Sequence, residues 1–446
     1  MFIRFIIYLL LITAVTRLSG QELIDENALF SNPDVVEIST VIIDNVLISL
    51  ENKGKKSFNI SGELSSVNEH STLKDLSNPD KSTNKLSNYM VANLLFDARL
   101  TKGYKGFINY ETQYVSQTRN TTYLLREMFL DFNISNRVYF RTGKQILQWG
   151  RCYLWNPTDL INVEKKMFIQ KIGYREGAYG IKMHIPSGTK WNIYSFIDTG
   201  NADNTDNIAG ALKFEFLYGR KTEMAFETWS KKGYKTVYGY DFSTRLSGID
   251  LYGESSISYG DNYDRMKEEP GILLKYRVDN EWVNRTSIGF SRAFDAGDIN
   301  DRIRLTGEFY YNQAGYADNL AKDESVYGYD IPTLIPINGA PVLKTAGTKR
   351  EFLFYNNLFE MNNYARYYAA VFISFSRFII TDMALNVNLI SNLVDNSCIL
   401  TTGISYQNIN DFRLNFNIYS FLGKEAGEYN LFNSAPAGQL TFGIVF

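Results

Sequence analysis

Few side chains in this sequence could carry out chemistry on a bound substrate. There are two histidines, His70 and His184, and two cysteines, Cys152 and Cys398. A nucleophilic hydrolase needs a base within hydrogen-bond reach of its serine or cysteine, with the base oriented by a third group. His70 stands in a polar stretch and His184 two residues before Pro186, with no nucleophile motif close to either. The patterns G-x-S-x-G and H-E-x-x-H, a phosphate-binding loop and a paired-cysteine metal site are all missing. Carboxylates are plentiful, but spacing singles out no pair. The expectation is a protein that is not an enzyme and holds no cofactor or metal, with a hydrolase as the alternative. Cys152 and Cys398 are expected to be two unpaired thiols, although an oxidising compartment would also permit a bridge.

The densest concentration of unusual residues follows the strand-like run Val138 to Gln145, which contains Arg141, Gly143 and Lys144. It reads Trp149-Gly150-Arg151-Cys152-Tyr153-Leu154-Trp155-Asn156-Pro157-Thr158-Asp159 and holds two of the five tryptophans. Gly150 can adopt positive φ, Asn156-Pro157 with Asp159 favours a fixed turn, and two indoles give rigid apolar area. The expected product is an ordered loop against an inner wall. On the flanking segments, Glu127, Asp131 and Asn133 share a face with Tyr123, and Arg141 shares one with Tyr139, Gly143 and Gln145. Glu127 or Asp131 can then pair with Arg141 across neighbouring strands. Arg126 falls on the opposite face from Glu127 and is expected near a membrane interface. These charges either brace a wall or touch a permeating solute.

The stretch 121–165 resembles an uncharacterised family of bacterial outer-membrane porin-like β-barrels that carry a Gly-Lys/Arg-Gln strand followed by Trp-Gly and Asn-Pro-x-Asp. Agreement along the rest of the chain is weaker, and Cys152 stands where that family commonly has Gly. The resemblance implies a porin-like channel. It also suggests export machinery for lipids or other hydrophobic compounds as a partner.

The elements that must position these residues are strands. In 411–420, Phe412, Leu414, Phe416 and Ile418 oppose Arg413, Asn415 and Asn417; in 381–391, Met383, Leu385, Val387 and Leu389 oppose Asp382, Asn386 and Asn388. Period-2 segments about ten residues long match tilted membrane strands. Similar segments recur at 57–65, 89–99, 104–115, 121–134, 136–147, 175–185, 190–199, 208–219, 222–231, 235–246, 249–260, 270–278, 284–292, 302–312, 364–378 and 397–409. Tight links near 101–103, 135, 186–189, 219–221, 247–248 and 278–281 alternate with longer polar ones at 66–88, 116–120, 200–207, 261–269 and 293–301. Short turns on one side and long loops on the other describe a barrel inserted from the periplasm.

The chain ends with Leu440, Phe442, Ile444 and Phe446 on one face, resembling the terminal strand that barrel assembly machinery recognises. Residues 1–20 combine Arg4, an apolar run and a small-residue end, and read as a secretory signal. Residues 21–56 form a short periplasmic or plug segment, or one further strand. Aromatic residues make up 15% of the chain, with 31 Tyr and 30 Phe, as an apolar outer face with interfacial girdles requires. Loss of Arg4 and Arg17 with the signal moves the formal charge from −2 to −4, and no concentrated basic face marks a nucleic-acid partner.

The expected fold is therefore an all-β, transmembrane antiparallel up-and-down barrel over 57–446, in the bacterial outer membrane with its lipid as surroundings. Strand directions counted from the two ends disagree across 313–363. If 350–361 is a strand the total is 20; if it is a short helix in a large outer loop, the total is about 18 and one other strand is misassigned. The expectation is 18, with long loops at 66–88, 148–174 and 313–363. The last either narrows the lumen or lies exposed. The expected function is passive passage of solutes, with hydrophobic or lipid-like ones among the candidates; the alternative is a surface adhesion or scaffold barrel acting through its outer loops. The lumen and motif candidates are Glu127, Asp131, Arg141, Lys144, Gln145, Trp149, Gly150, Trp155, Asn156, Pro157 and Asp159.

Overall fold

Alternating residues give a strand two unlike faces, and an antiparallel ladder of such strands can close into a cylinder that has no edge. The computed structural model describes residues 57–446 apart from 75–81, 101–102, 160, 162–176, 189, 201, 338–339, 408–410, 425 and 432–434. The expected signal 1–20 and segment 21–56 lie outside the described residues. The wall begins with β1 (Ser57–Lys74), β2 (Ser82–Arg99), β3 (Lys105–Val115), β4 (Asn120–Ile134), β5 (Val138–Gln145) and β6 (Ala178–Ser187). It continues with β7 (Trp191–Asp198), β8 (Ala209–Tyr218), β9 (Thr222–Lys231), β10 (Val237–Leu246) and β11 (Ile249–Tyr259). A hairpin, β12 (Asp264–Glu269) and β13 (Ile272–Arg277), leaves the wall before β14 (Trp282–Ala296) and β15 (Ile299–Asn312) rejoin it. A second excursion holds β16 (Tyr327–Ile337), β17 (Ala340–Gly347) and helix α1 (Lys349–Tyr355). The last strands are β18 (Tyr367–Ser376), β19 (Met383–Asn392), β20 (Ser397–Gln407), β21 (Phe412–Leu422) and β22 (Ala437–Val445).

Eighteen strands form one sheet in which sequence neighbours pair antiparallel, and β22 pairs with β1 to close it. At the seam, Gly62 and Phe446 exchange backbone hydrogen bonds of 2.7 and 2.9 Å. The outer face is apolar: Leu130 is 60% exposed, Ile288 55% and Phe226 54%, whereas Asp241 on the inner face is wholly buried. Rings of Phe214, Phe216, Phe226, Tyr240 and Phe242 follow one another across β8, β9 and β10 at 5.3–6.3 Å. Two-residue turns such as Ser247-Gly248, both at positive φ as a type I′ hairpin requires, lie on the rim where the chain ends. The longer connections lie on the opposite rim, which the barrel grammar places outside the cell.

The direction count resolves at two places. The expected strand 270–278 does not belong to the wall: β12 and β13 join β16 and β17 in a separate four-stranded sheet of the outer loops. The links at 278–281 and 293–301 exchange roles accordingly. The former belongs to the outer excursion, and the latter is a tight turn at Gly297-Asp298 between β14 and β15. A soluble hairpin and a membrane hairpin share the same alternation, so the pattern could not tell them apart. Residues 349–355 form α1, started by a capping box in which Thr348 and Glu351 satisfy each other's backbone N–H groups, so 313–363 is an outer loop and the total is 18.

The expected loop 66–88 is mostly strand. β1 and β2 run 18 residues each and stay paired from Ser57–Arg99 to Lys74–Ser82. Above the bilayer the ladder continues, but no lipid imposes an apolar face, so the alternation fades while the hydrogen bonds do not. His70 lies in this extension, opposite Leu86. Arg126 also departs from expectation. The register slips between Asn109–Glu127 and Tyr110–Leu125, leaving Arg126 as the extra residue of a bulge, with its side chain buried 3.7 Å from Glu111. Arg126 and Glu127 therefore both turn inward, avoiding the ~2–4 kcal/mol cost of a lipid-facing arginine at mid-membrane. The same slip puts Tyr123 on the outer face, where it is 69% exposed.

Candidate functional site: the segment folded into the lumen

After β5 the chain does not leave the barrel but turns inside it. Glu127 begins the turn by accepting a hydrogen bond from Ile146 N at 3.0 Å. Gln145, fully buried, donates from Nε2 to the carbonyl of Gly180 at 3.3 Å. Leu147, Trp149 and Ile161 then pack against Phe196 and Ala211 on the inner faces of β7 and β8. From there the segment runs along consecutive wall strands as far as β18.

Charged wall residues hold it in place. The guanidinium of Arg151 bonds Glu215 on β8 at 3.0 Å, Glu223 on β9, Asp241 on β10, and the Ser243 hydroxyl at 3.2 Å. The planar fork of arginine suits several carboxylates converging from one curved wall. Beside it, Lys213 donates to the carbonyl of Trp149 at 2.5 Å and pairs with Asp241 at 2.7 Å and Glu227 at 2.8 Å. A segment buried without secondary structure must find partners for its backbone N–H groups. Here two wall carboxylates supply them. Glu254 on β11 accepts from Cys152 N at 2.5 Å, Thr158 N at 3.2 Å and Thr158 Oγ1 at 2.8 Å. Glu308 on β15 accepts from three consecutive groups, Tyr153 N at 2.8 Å, Leu154 N at 3.2 Å and Trp155 N at 2.6 Å.

The aromatic residues complete the fit. Trp155 stacks on Tyr310 with centroids 5.5 Å apart and planes 7° apart, and its Nε1–H donates to Asn362 O at 2.7 Å. Tyr153 meets Phe372 of β18 edge to face at 4.6 Å. Asn156 to Asp159 forms the expected turn, with Asp159 N bonded to Asn156 O at 3.1 Å and Pro157 inside it. Gly150 is needed for a different reason than expected. Its φ is not positive; instead an added Cβ would stand 2.5 Å from Asn156 Oδ1 and 2.6 Å from Glu254 Oε1. Burial beside Glu254 and Glu308 pushes the Cys152 thiol up, keeping it protonated, and both cysteines are free.

The candidate residues therefore divide. Glu127, Gln145, Trp149, Gly150, Trp155, Asn156, Pro157 and Asp159 belong to the lumen segment or its anchorage. Asp131 and Arg141 form the expected pair, with bonds of 2.7 and 2.9 Å, farther down the wall, where Arg141 also lies 3.7 Å over the ring of Phe129. Lys144 is a correction. Its register partners are Met128 and Tyr179, both exposed on the outer face, so it stands opposite Gln145 and away from the lumen. Arg151, Lys213, Glu215, Glu223, Glu227, Asp241, Glu254 and Glu308 were not singled out from sequence. Their common signal is that each wall residue occupies the inward register of an otherwise aromatic or small-residue strand. Of the loop 313–363, Tyr329, Phe352, Leu353 and Leu358 join the buried apolar cluster that contains Trp155.

No family model and no curated protein matches the chain by sequence. Among solved structures, the fold is similar to Pseudomonas aeruginosa OccK8 (OprE), 8% identical with a TM-score of 0.52, over 87% of this chain and 98% of that one. Acinetobacter baumannii OccAB1 is 8% identical with a TM-score of 0.50, over 87% and 96%. A BenF-like porin from Pseudomonas fluorescens Pf-5 is 9% identical with a TM-score of 0.50, over 87% and 98%. At these identities the likeness is one of fold, that of an 18-stranded outer-membrane porin-type barrel.

Proposed function

We propose that the chain is a passive outer-membrane channel for small hydrophilic solutes, with residues 146–161 as its constriction. The observation that carries this reading is the asymmetry of the inner wall. One side, from β7 to β18, is taken up by the pinned segment. The other, from β19 to β22, presents Asn386, Asn388, Ser405, Asn415, Asn417 and Thr441, all only half-buried and so within reach of water. Uncharged amides and hydroxyls facing a pinned loop suit a hydrated path better than the hydrophobic or lipid-like cargo that the motif resemblance raised. The porin named among the similar folds supports the same reading by analogy.

Planar-bilayer recording on the purified barrel tests the proposal. Stable, ohmic conductance steps are expected, and loosening the constriction with Arg151→Ala should enlarge them. A folded barrel that never conducts would remove the channel reading. A conducting barrel whose steps are unchanged by Arg151→Ala would remove the constriction from it.

A further inference from the structure

The open side of the lumen is uncharged as well as polar. Among the described residues, the inward positions of β19 to β22 carry a single ionised group, Arg413, and Glu63 pairs with it at 3.4 Å. Two rows of that face lie side by side. In one, Asn388, Thr401 and Tyr419 are register neighbours; in the other, Asn386, Gly403 and Asn417. Without a side chain at Gly403 the amide of Asn417 leans toward β20, its Oδ1 only 2.2 Å from where a Gly403 Cβ would stand. Asn386, Asn388 and Asn417 are half-buried, and among the described residues no protein hydrogen bond reaches their amides. Thr401 is only 7% exposed, and its hydroxyl is likewise buried without a partner among the described residues. A hydroxyl shut away from bulk water and left unpaired is costly, and it points to a group that arrives from outside the protein. The pinned segment supplies an aromatic neighbour: Tyr153 meets Phe372 of β18 edge to face, and Phe372 is the register partner of Asn388. A ring, a hydroxyl and three amides with free donors and acceptors therefore gather where the segment ends against the wall.

We propose that this face recognises uncharged polyhydroxylated solutes, sugars and sugar alcohols, and favours them over ions of the same size. The inference rests on the channel reading and names its solute class. A hydroxyl both donates and accepts, as an amide does, so neighbouring hydroxyls of one sugar can bridge Asn386 and Asn417, or Asn388 and Thr401. The ring of Tyr153 offers apolar surface to the C–H face of the same sugar. A charged solute between segment and wall gives up water and finds no countercharge. Arg413 is held by Glu63, and Arg151, Lys213, Glu254 and Glu308 are committed to the segment. Charge is penalised, whereas hydroxyls exchange water for amides.

Entry of radiolabelled glucose, gluconate and tetraethylene glycol into proteoliposomes of the full-length barrel, with equal salt on both sides, tests the inference. The three solutes are of similar size; gluconate adds a charge, and tetraethylene glycol keeps only its two terminal hydroxyls. Glucose is expected to enter several-fold faster than either, at a rate that saturates with concentration. Asn388→Leu and Asn417→Leu nearly preserve side-chain volume and break no hydrogen bond within the described protein. Each should slow glucose by about fivefold, the effect of one neutral hydrogen bond, and leave tetraethylene glycol unchanged, which also reports an intact barrel. Thr401→Val, close to threonine in shape, is the third variant and should likewise slow glucose alone. Gluconate or tetraethylene glycol entering as fast as glucose, or glucose unaffected in all three variants, would overturn the proposal and leave the channel in place. So would a barrel that conducts ions and admits no glucose. A barrel that neither conducts nor admits any of the three would remove the channel reading, and the proposal with it.

Discussion

Arg151 shows how much of the constriction hangs on single side chains. Its removal would leave Asp241, wholly buried, with Lys213 as its one remaining cation, and take the arginine from Glu215 and Glu223. Breaking a buried pair from one side costs up to about 3–5 kcal/mol, and the loss here is smaller than that, because Lys213 still faces Asp241 and the two glutamates reach water. Arg151→Ala is therefore expected to lower the thermal unfolding midpoint in detergent, while Arg151→Ala with Asp241→Asn recovers part of the loss; no recovery would show that the pairing is not what stabilises the segment. Gly150→Ala is the complementary case. The added methyl meets Asn156 and Glu254 at distances no relaxed contact allows, and overpacking of this kind costs about 1–3 kcal/mol. A midpoint equal to wild type would mean that the segment shifts freely. The turn at Asn156-Pro157 was legible from residue type alone. The role of Gly150 was not, because its neighbours come from a turn six residues away and from another strand.

Among the elements, the outer connections form an interlock with the lumen segment. Glu428, fully buried in a short 3-10 turn after β21, accepts from Asn362 N at 2.6 Å, Tyr368 OH at 2.8 Å and Asn392 Nδ2 at 2.7 Å. The next carbonyl of this chain of contacts, Asn362 O, takes the Trp155 indole N–H. Burial pushes the Glu428 carboxyl up to about 8, with Asp395 nearby adding to the rise. Its folded value lies above the ~4.3 of an unfolded glutamate, so its contribution is fully present below that unfolded value and is lost as pH rises through about 8. Hydrogen exchange at 358–365 and 426–430, corrected for intrinsic rates, should accelerate between pH 6 and 9 in the wild type and less in Glu428→Gln. An identical pH course in both would discard this account. Hairpins of the wall were readable from sequence because their registers depend on neighbouring residues. The bulge at Arg126 was not, since one extra residue inverts the inferred face of everything before it.

For the whole molecule, closure depends on the last residues. Phe446 exchanges two backbone hydrogen bonds with Gly62, and its ring covers the place where a Gly62 side chain would stand, 3.0 Å from the added Cβ. Removing Phe446 is expected to lower the yield of folded barrel in cells more than the yield of refolding into detergent, if the terminal strand is also what the assembly machinery grips; equal losses would limit its role to the seam. The wall itself was determined by sequence. Lipid outside and water inside impose opposite preferences on alternate residues, and that pattern is written locally, strand by strand, from β3 to β22. The constriction was settled only by tertiary structure. Arg151 meets carboxylates 64, 72 and 90 residues further along the chain, which closure of the barrel brings onto one concave wall. No local pattern records which inward residues will face a loop that folds back inside. The same limit explains β12 and β13, whose alternation is that of a membrane hairpin although β13 pairs with β16 above the rim, because the period reports two unlike faces and not the medium that each face meets.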